Sequence, residues 1–156
     1  MMRKAMIVLA LLAIGAAPAP VPLGLTASSW GKPLGEWEIQ PDGSILYTAA
    51  KSGDPAVPDH DILVTRQAGP DPTRYLRIVE LLAPGRDWLG RGLPCKDRMS
   101  DMPYGVVHWG KETLAFDSGC RDTETAAVVE SFHQADDLME QWMRDAPIIA
   151  TRATGQ

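Results

Sequence analysis

Hydrophobic and polar residues alternate with a period of two in several short runs and recur every three to four positions in two longer ones, which predicts a mixed fold. Trp37 and Ile39 alternate with Glu36, Glu38 and Gln40, Pro41-Asp42-Gly43 supplies turn chemistry, and Ile45-Leu46-Tyr47-Thr48 is a second β-prone run. Ile62-Leu63-Val64-Thr65 reads as a short third strand. The clearest local signal is Val106-Val107-His108-Trp109, then Gly110-Lys111, then Glu112-Thr113-Leu114-Ala115-Phe116. Glycine first in a two-residue loop is what a type II′ hairpin requires. In that register Val107 faces Leu114, Trp109 and Phe116 share their face, and His108 and Thr113 point to the other side.

The helical period occurs twice. Asp71-Pro72 has the form of an N-cap followed by proline in the first turn, and Tyr75, Leu76, Val79 and Leu82 follow at helical spacing until Pro84-Gly85. Further on, Val128, Phe132, Ala135, Leu138, Met139 and Trp142 form an apolar stripe opposite Glu130, Asp136, Asp137 and Glu140. That predicts a long amphipathic helix over 122–146, with Asp122 and Glu124 suited to its positive end and Pro147 terminating it.

Between these elements the pattern fades. Residues 18–35 are rich in Pro, Gly and Ser, with Trp30 the only large anchor, and read as a flexible arm. Residues 51–61 read as a loop, 86–103 as a long loop pinned by Cys95, and 151–156 as a disordered tail. A single α+β domain over 36–150 results: a small antiparallel sheet of about five strands, with one short and one long C-terminal amphipathic helix packed on one face.

The N-terminus changes the setting. Arg3 and Lys4 precede an apolar run over 5–14 and then Gly15-Ala16-Ala17-Pro18, the order of a signal peptide over 1–17 cleaved at Ala16/Ala17. The apolar run is about half of the ~20 residues that a membrane span needs, and Pro18, Pro20 and Pro22 prevent its extension. The expected location is therefore periplasmic or secreted, with no stable membrane insertion after cleavage.

In such a compartment the only two cysteines, Cys95 and Cys120, are expected to form one disulfide. They are too far apart for a redox-active C-x-x-C pair, and no further ligand with metal-type spacing accompanies them. The formal net charge is −5, and loss of Arg3 and Lys4 makes it more negative, which disfavours nucleic acid and anionic lipid as partners.

Candidate chemistry is sparse. His60 lies between Asp59 and Asp61, His108 in a strand and His133 on the polar side of the long helix, so no metal site or cofactor is expected. No Gly-x-Ser-x-Gly occurs, and Lys51-Ser52 lacks the glycines of a phosphate loop. Asp117-Ser118-Gly119 is similar to the nucleophile segment of trypsin-like proteases, but Cys120 follows and the chain is too short for their two barrels. Gly35-Glu36-Trp37 resembles the Gly-x-Trp that opens the first strand of lipocalins, and a helix near the C-terminus fits that pattern; the resemblance implies an eight-stranded carrier of a small molecule.

Five tryptophans against two phenylalanines point to binding, because tryptophan joins a broad apolar face to an N–H donor. Trp88, between Arg86 and Arg91 in the long loop, is the first candidate anchor, with Tyr104 and His108 as further partner-contacting residues. The expected function is a non-catalytic exported domain that binds a protein or cell-envelope component. The alternatives are a small hydrolase, with His108 as general base and Asp101 or Asp117 orienting it, and the lipocalin-like carrier.

Overall fold

The computed structural model describes residues 19–51 and 62–153. The expected leader, the segment 52–61 that contains Asp59, His60 and Asp61, and residues 154–156 lie outside the described residues. Strands β1 (Leu23–Ser29), β2 (Lys32–Ile39), β3 (Ile45–Lys51) and β4 (Ile62–Ala68) are followed by helix α1 (Pro72–Leu82) and a 3-10 segment (Ala83–Trp88). Strands β5 (Tyr104–Trp109) and β6 (Glu112–Asp117), helix α2 (Thr123–Met143) and β7 (Ile148–Ala153) complete the chain. The seven strands form one antiparallel sheet in the order β6-β5-β1-β2-β3-β4-β7.

The fold class is α+β with one disulfide, but the sheet is larger than the five strands expected. Both additions come from segments read as irregular. Leu23–Ser29, assigned to a flexible arm, is an inner strand paired with β2 on one side and β5 on the other. Trp30 is not an anchor: it is 77% exposed in the β1–β2 turn. Part of the C-terminal segment expected to be disordered belongs to β7, which pairs with β4 from Ile62↔Ala153 to Arg66↔Ile148. Gly35-Glu36-Trp37 lies in the second strand, and β6 and β7 are the edges of an open sheet rather than neighbours in an eight-stranded barrel.

Alternation puts one face of the sheet in the core. One row across that face is Trp109, Leu23, Ile39, Ile45 and Ala68, and the next is Leu114, Val107, Leu25, Trp37, Tyr47 and Arg66. On the other face Thr26, Glu36, Thr48 and Thr65 line up, with Thr48 and Thr65 hydroxyls 3.0 Å apart. The β5–β6 hairpin keeps the expected register, Val107↔Leu114, and of Gly110-Lys111 only Gly110 has positive φ, as a type II′ turn demands.

Asp71 caps α1 by accepting the Thr73 N–H at 3.1 Å. The buried side of α1 is Tyr75, Ile78, Leu81 and Leu82, so the expected stripe is rotated: Leu76 points to solvent. Helix α2 buries Thr125, Val128, Val129, Phe132, Ala135, Met139 and Met143, close to the expected stripe. Among the described residues no helix is long and apolar enough to cross a membrane.

Candidate binding cleft

The third row on the helix-bearing face of the sheet is Phe116, Gly105, Ala27, Gly35, Ala49 and Val64. Four consecutive members of it carry a methyl group or nothing, whereas the row beside it, from Leu114 to Arg66, carries large side chains; the Phe116 ring closes over Gly105, which leaves Ala27, Gly35 and Ala49 as the open floor. A helix packed across such a surface cannot reach the floor over the small residues, and close packing fails there. The result is a cleft of about 420 Å³ between the sheet and α2. That lies within the range of small-molecule sites. Leu25, Leu34, Tyr47, Met102, Phe116 and Phe132 contribute its larger apolar walls.

Polar groups converge on the same space. Ser118, in the turn after β6, and His133, on α2, meet with Oγ and Nε2 2.9 Å apart. One turn along α2, Asp136 accepts the indole N–H of Trp37 at 2.9 Å, and Glu140 follows at the next turn. Burial pushes the Asp136 carboxyl above its ordinary value, with Asp137 and Glu140 adding to the rise, while the Trp37 hydrogen bond and His133 oppose it. The Tyr47 phenol is raised to about 12 by burial and by the Asp136 and Glu140 charges, with Arg66 opposing, so it stays protonated at neutral pH.

The turn bearing Ser118 is held by its neighbours. Cys120 is joined to Cys95, with the two Cα atoms 5.6 Å apart, which ties the long loop to the end of β6 beside the start of α2. Around it the Met99 N–H donates to Gly119 O at 2.8 Å, the Arg121 N–H to Asp97 O at 2.9 Å, and the Lys96 N–H to the Asp122 carboxylate at 2.6 Å. The same rigidity limits chemistry. The Ser118 N–H donates to Pro103 O, the Gly119 N–H to the Asp117 carboxylate and the Cys120 N–H to Asp117 O. These three amides are therefore committed to Pro103 and Asp117, and an acyl-transfer site needs free donors aimed at a developing oxyanion.

No protein-family model, no curated protein and no solved structure matches this chain. The reading of the cleft therefore rests on its own geometry.

The residues singled out from the sequence fall into three places. Arg86 and Trp88 lie in the 3-10 segment and Arg91 shortly after it, but the two guanidinium groups stack on different rings: Arg86 lies 5.0 Å from the Trp109 ring centroid and Arg91 5.6 Å from that of Trp88. Trp88 itself packs partly buried against the core. Tyr104 is at the other end of β5, its hydroxyl accepting the Gly31 N–H at 3.2 Å, and it lines the cleft. His108 faces away from the helices, in a depression with Glu36, Glu38 and Thr48. Neither Asp101 nor Asp117 lines that depression; Asp117 pairs with Arg98 at 3.2 Å, so the carboxylates expected to orient His108 are elsewhere.

The sequence pattern assigns no site role to Ser118, His133 or Asp136. Asp136 was assigned to the polar side of α2, yet it lies four residues after Phe132 and three before Met139, both in the buried stripe. That spacing puts it at the border of the stripe and is a signal that was legible. The meeting of Ser118 with His133 had no such signal, because it depends on where α2 crosses the sheet.

Proposed function

We propose that this chain is an exported, non-catalytic binding domain that takes a cell-envelope component into the cleft between the sheet and α2. The run Ala27, Gly35, Ala49 carries the proposal, because it floors a lined space where the neighbouring row is filled by large side chains. Apolar walls with a few converging polar groups are the usual make-up of a ligand site. The leader over 1–17 and the Cys95–Cys120 disulfide support export. Arg86, Trp88 and Arg91 belong to a second surface, where a protein partner would be gripped by the stacked guanidinium groups.

The test is to incubate the purified protein with an organic extract of cell envelopes and look for a retained small molecule by native mass spectrometry. Wild type is expected to carry one, and Ala27→Leu or Ala49→Leu, which fill the floor, to lose it while keeping the wild-type circular dichroism. Equal retention by wild type and both filled variants, or no retained molecule in wild type, would overturn the cleft assignment.

A second reading is favoured by one observation, the Ser118–His133 pair. It would make the chain a hydrolase in which His133 activates Ser118. Turnover of an ester substrate that disappears in Ser118→Ala would establish it, and the committed amides of the turn argue for the opposite result.

A further inference from the structure

We infer that the cleft selects an amine: a small organic cation whose ammonium sits between Asp136, Glu140 and Tyr47 and whose apolar body extends toward Phe116 and Phe132. This rests on the binding reading above and adds the ligand's charge. Two carboxylates line the cleft, and no lysine or arginine among the described residues does. Asp136 has no ion pair among the described residues; one of its carboxylate oxygens accepts the N–H of the neutral Trp37 indole. Arg66, paired in register with Tyr47, directs its guanidinium to the Ala146 carbonyl and lines, with Lys51 and Arg144, an adjoining depression that shares Tyr47 and Glu140 with the cleft, so Asp136 is the carboxylate of the pair that faces the cleft alone.

The layout also has a direction. From His133 to Glu140 the helix advances about 10 Å, so the two carboxylates are at the β3 end and the apolar walls of Phe116 and Met102 at the β6 end. The Tyr47 hydroxyl, protonated over the physiological range, offers an oxygen to an N–H donor. A carboxylate ligand would meet like charge in the same place, and a neutral one would leave the half-buried Asp136 carboxylate without a counter-charge. Acidification opposes binding because it neutralises Asp136; His133, Asp137 and Glu140 on the same helix and Tyr47 from the sheet are the other titratable groups acting with it, and Arg66 acts on Tyr47.

Three probes of one length, hexylamine, hexanol and hexanoate, separate the claims by calorimetry and by amide chemical shifts of the full exported chain at neutral pH. The expected result is that hexylamine binds at least tenfold more tightly than hexanol and hexanoate more weakly than either, with Asp136→Asn removing the preference. Asparagine keeps an oxygen for Trp37, and Glu140→Gln, at an exposed position, serves as a second variant that should reduce the preference in part. Comparable binding of all three probes with shifts at Ala27, Ala49 and Phe132 would overturn the amine selectivity and leave the cleft standing. No shift at those residues with any probe would overturn both.

Discussion

Asp136 shows how one residue is decided by its surroundings. On α2 alone it is an ordinary polar residue beside an apolar stripe; in the fold it is brought against Trp37, and burial raises its pKa. The native state therefore holds the proton over the window between the unfolded and native pKa values, so stability is greatest below that window and is lost as pH rises through the raised native value. Asp136→Asn is expected to raise the melting temperature at pH 7, and the advantage should close as the pH falls through that window. Thermal melts of both proteins across pH 3–8 check this, and an advantage independent of pH would contradict it. Gly43 is the opposite kind of residue, legible at once: Pro41-Asp42-Gly43 announces a turn, φ there is +81°, and a Cβ would stand 1.7 Å from the Asp71 carbonyl oxygen.

At the level of elements, period-two and period-3.6 patterns located β2, β3, β4, both hairpin strands and both helices, because each buries one face of a regular structure. Strand β1 escaped although Leu23, Leu25 and Ala27 do alternate with Gly24, Thr26 and Ser28. Its small residues and the surrounding prolines resemble a linker, and only pairing on both sides with β2 and β5 makes it a strand. Strand β7 has every residue exposed, so no burial pattern marks it; the ladder to β4 does. The long loop keeps its shape through covalent closure. By the chain-entropy estimate the Cys95–Cys120 link contributes roughly 3.5 kcal/mol. The Cys95→Ser, Cys120→Ser double variant should lose about that much in urea unfolding, and the amides of 94–100 and 117–122 should exchange faster. Unchanged stability in the double variant would show that hydrogen bonds such as Met99 N–H to Gly119 O hold the loop unaided.

For the whole molecule, the expected leader and the disulfide make a joint prediction. Protein recovered outside the cytoplasm is expected to lack residues 1–16 or 1–17 and to contain no alkylatable thiol, as intact-mass measurement with and without reductant will show. An intact N-terminus with two free thiols would remove the export argument. By itself the sequence determined the class of fold, the two helices, the main hairpins and the pairing of its two cysteines, since each of these follows from local periodicity, turn chemistry or simple counting. Tertiary structure alone decided the inner position of β1, the order of the seven strands, the alignment of Gly105, Ala27, Gly35 and Ala49 into one shallow row, and the approach of Ser118 to His133. The reason is that a cleft is a property of register between distant strands and of the line a helix takes across them, and no window of consecutive residues contains either.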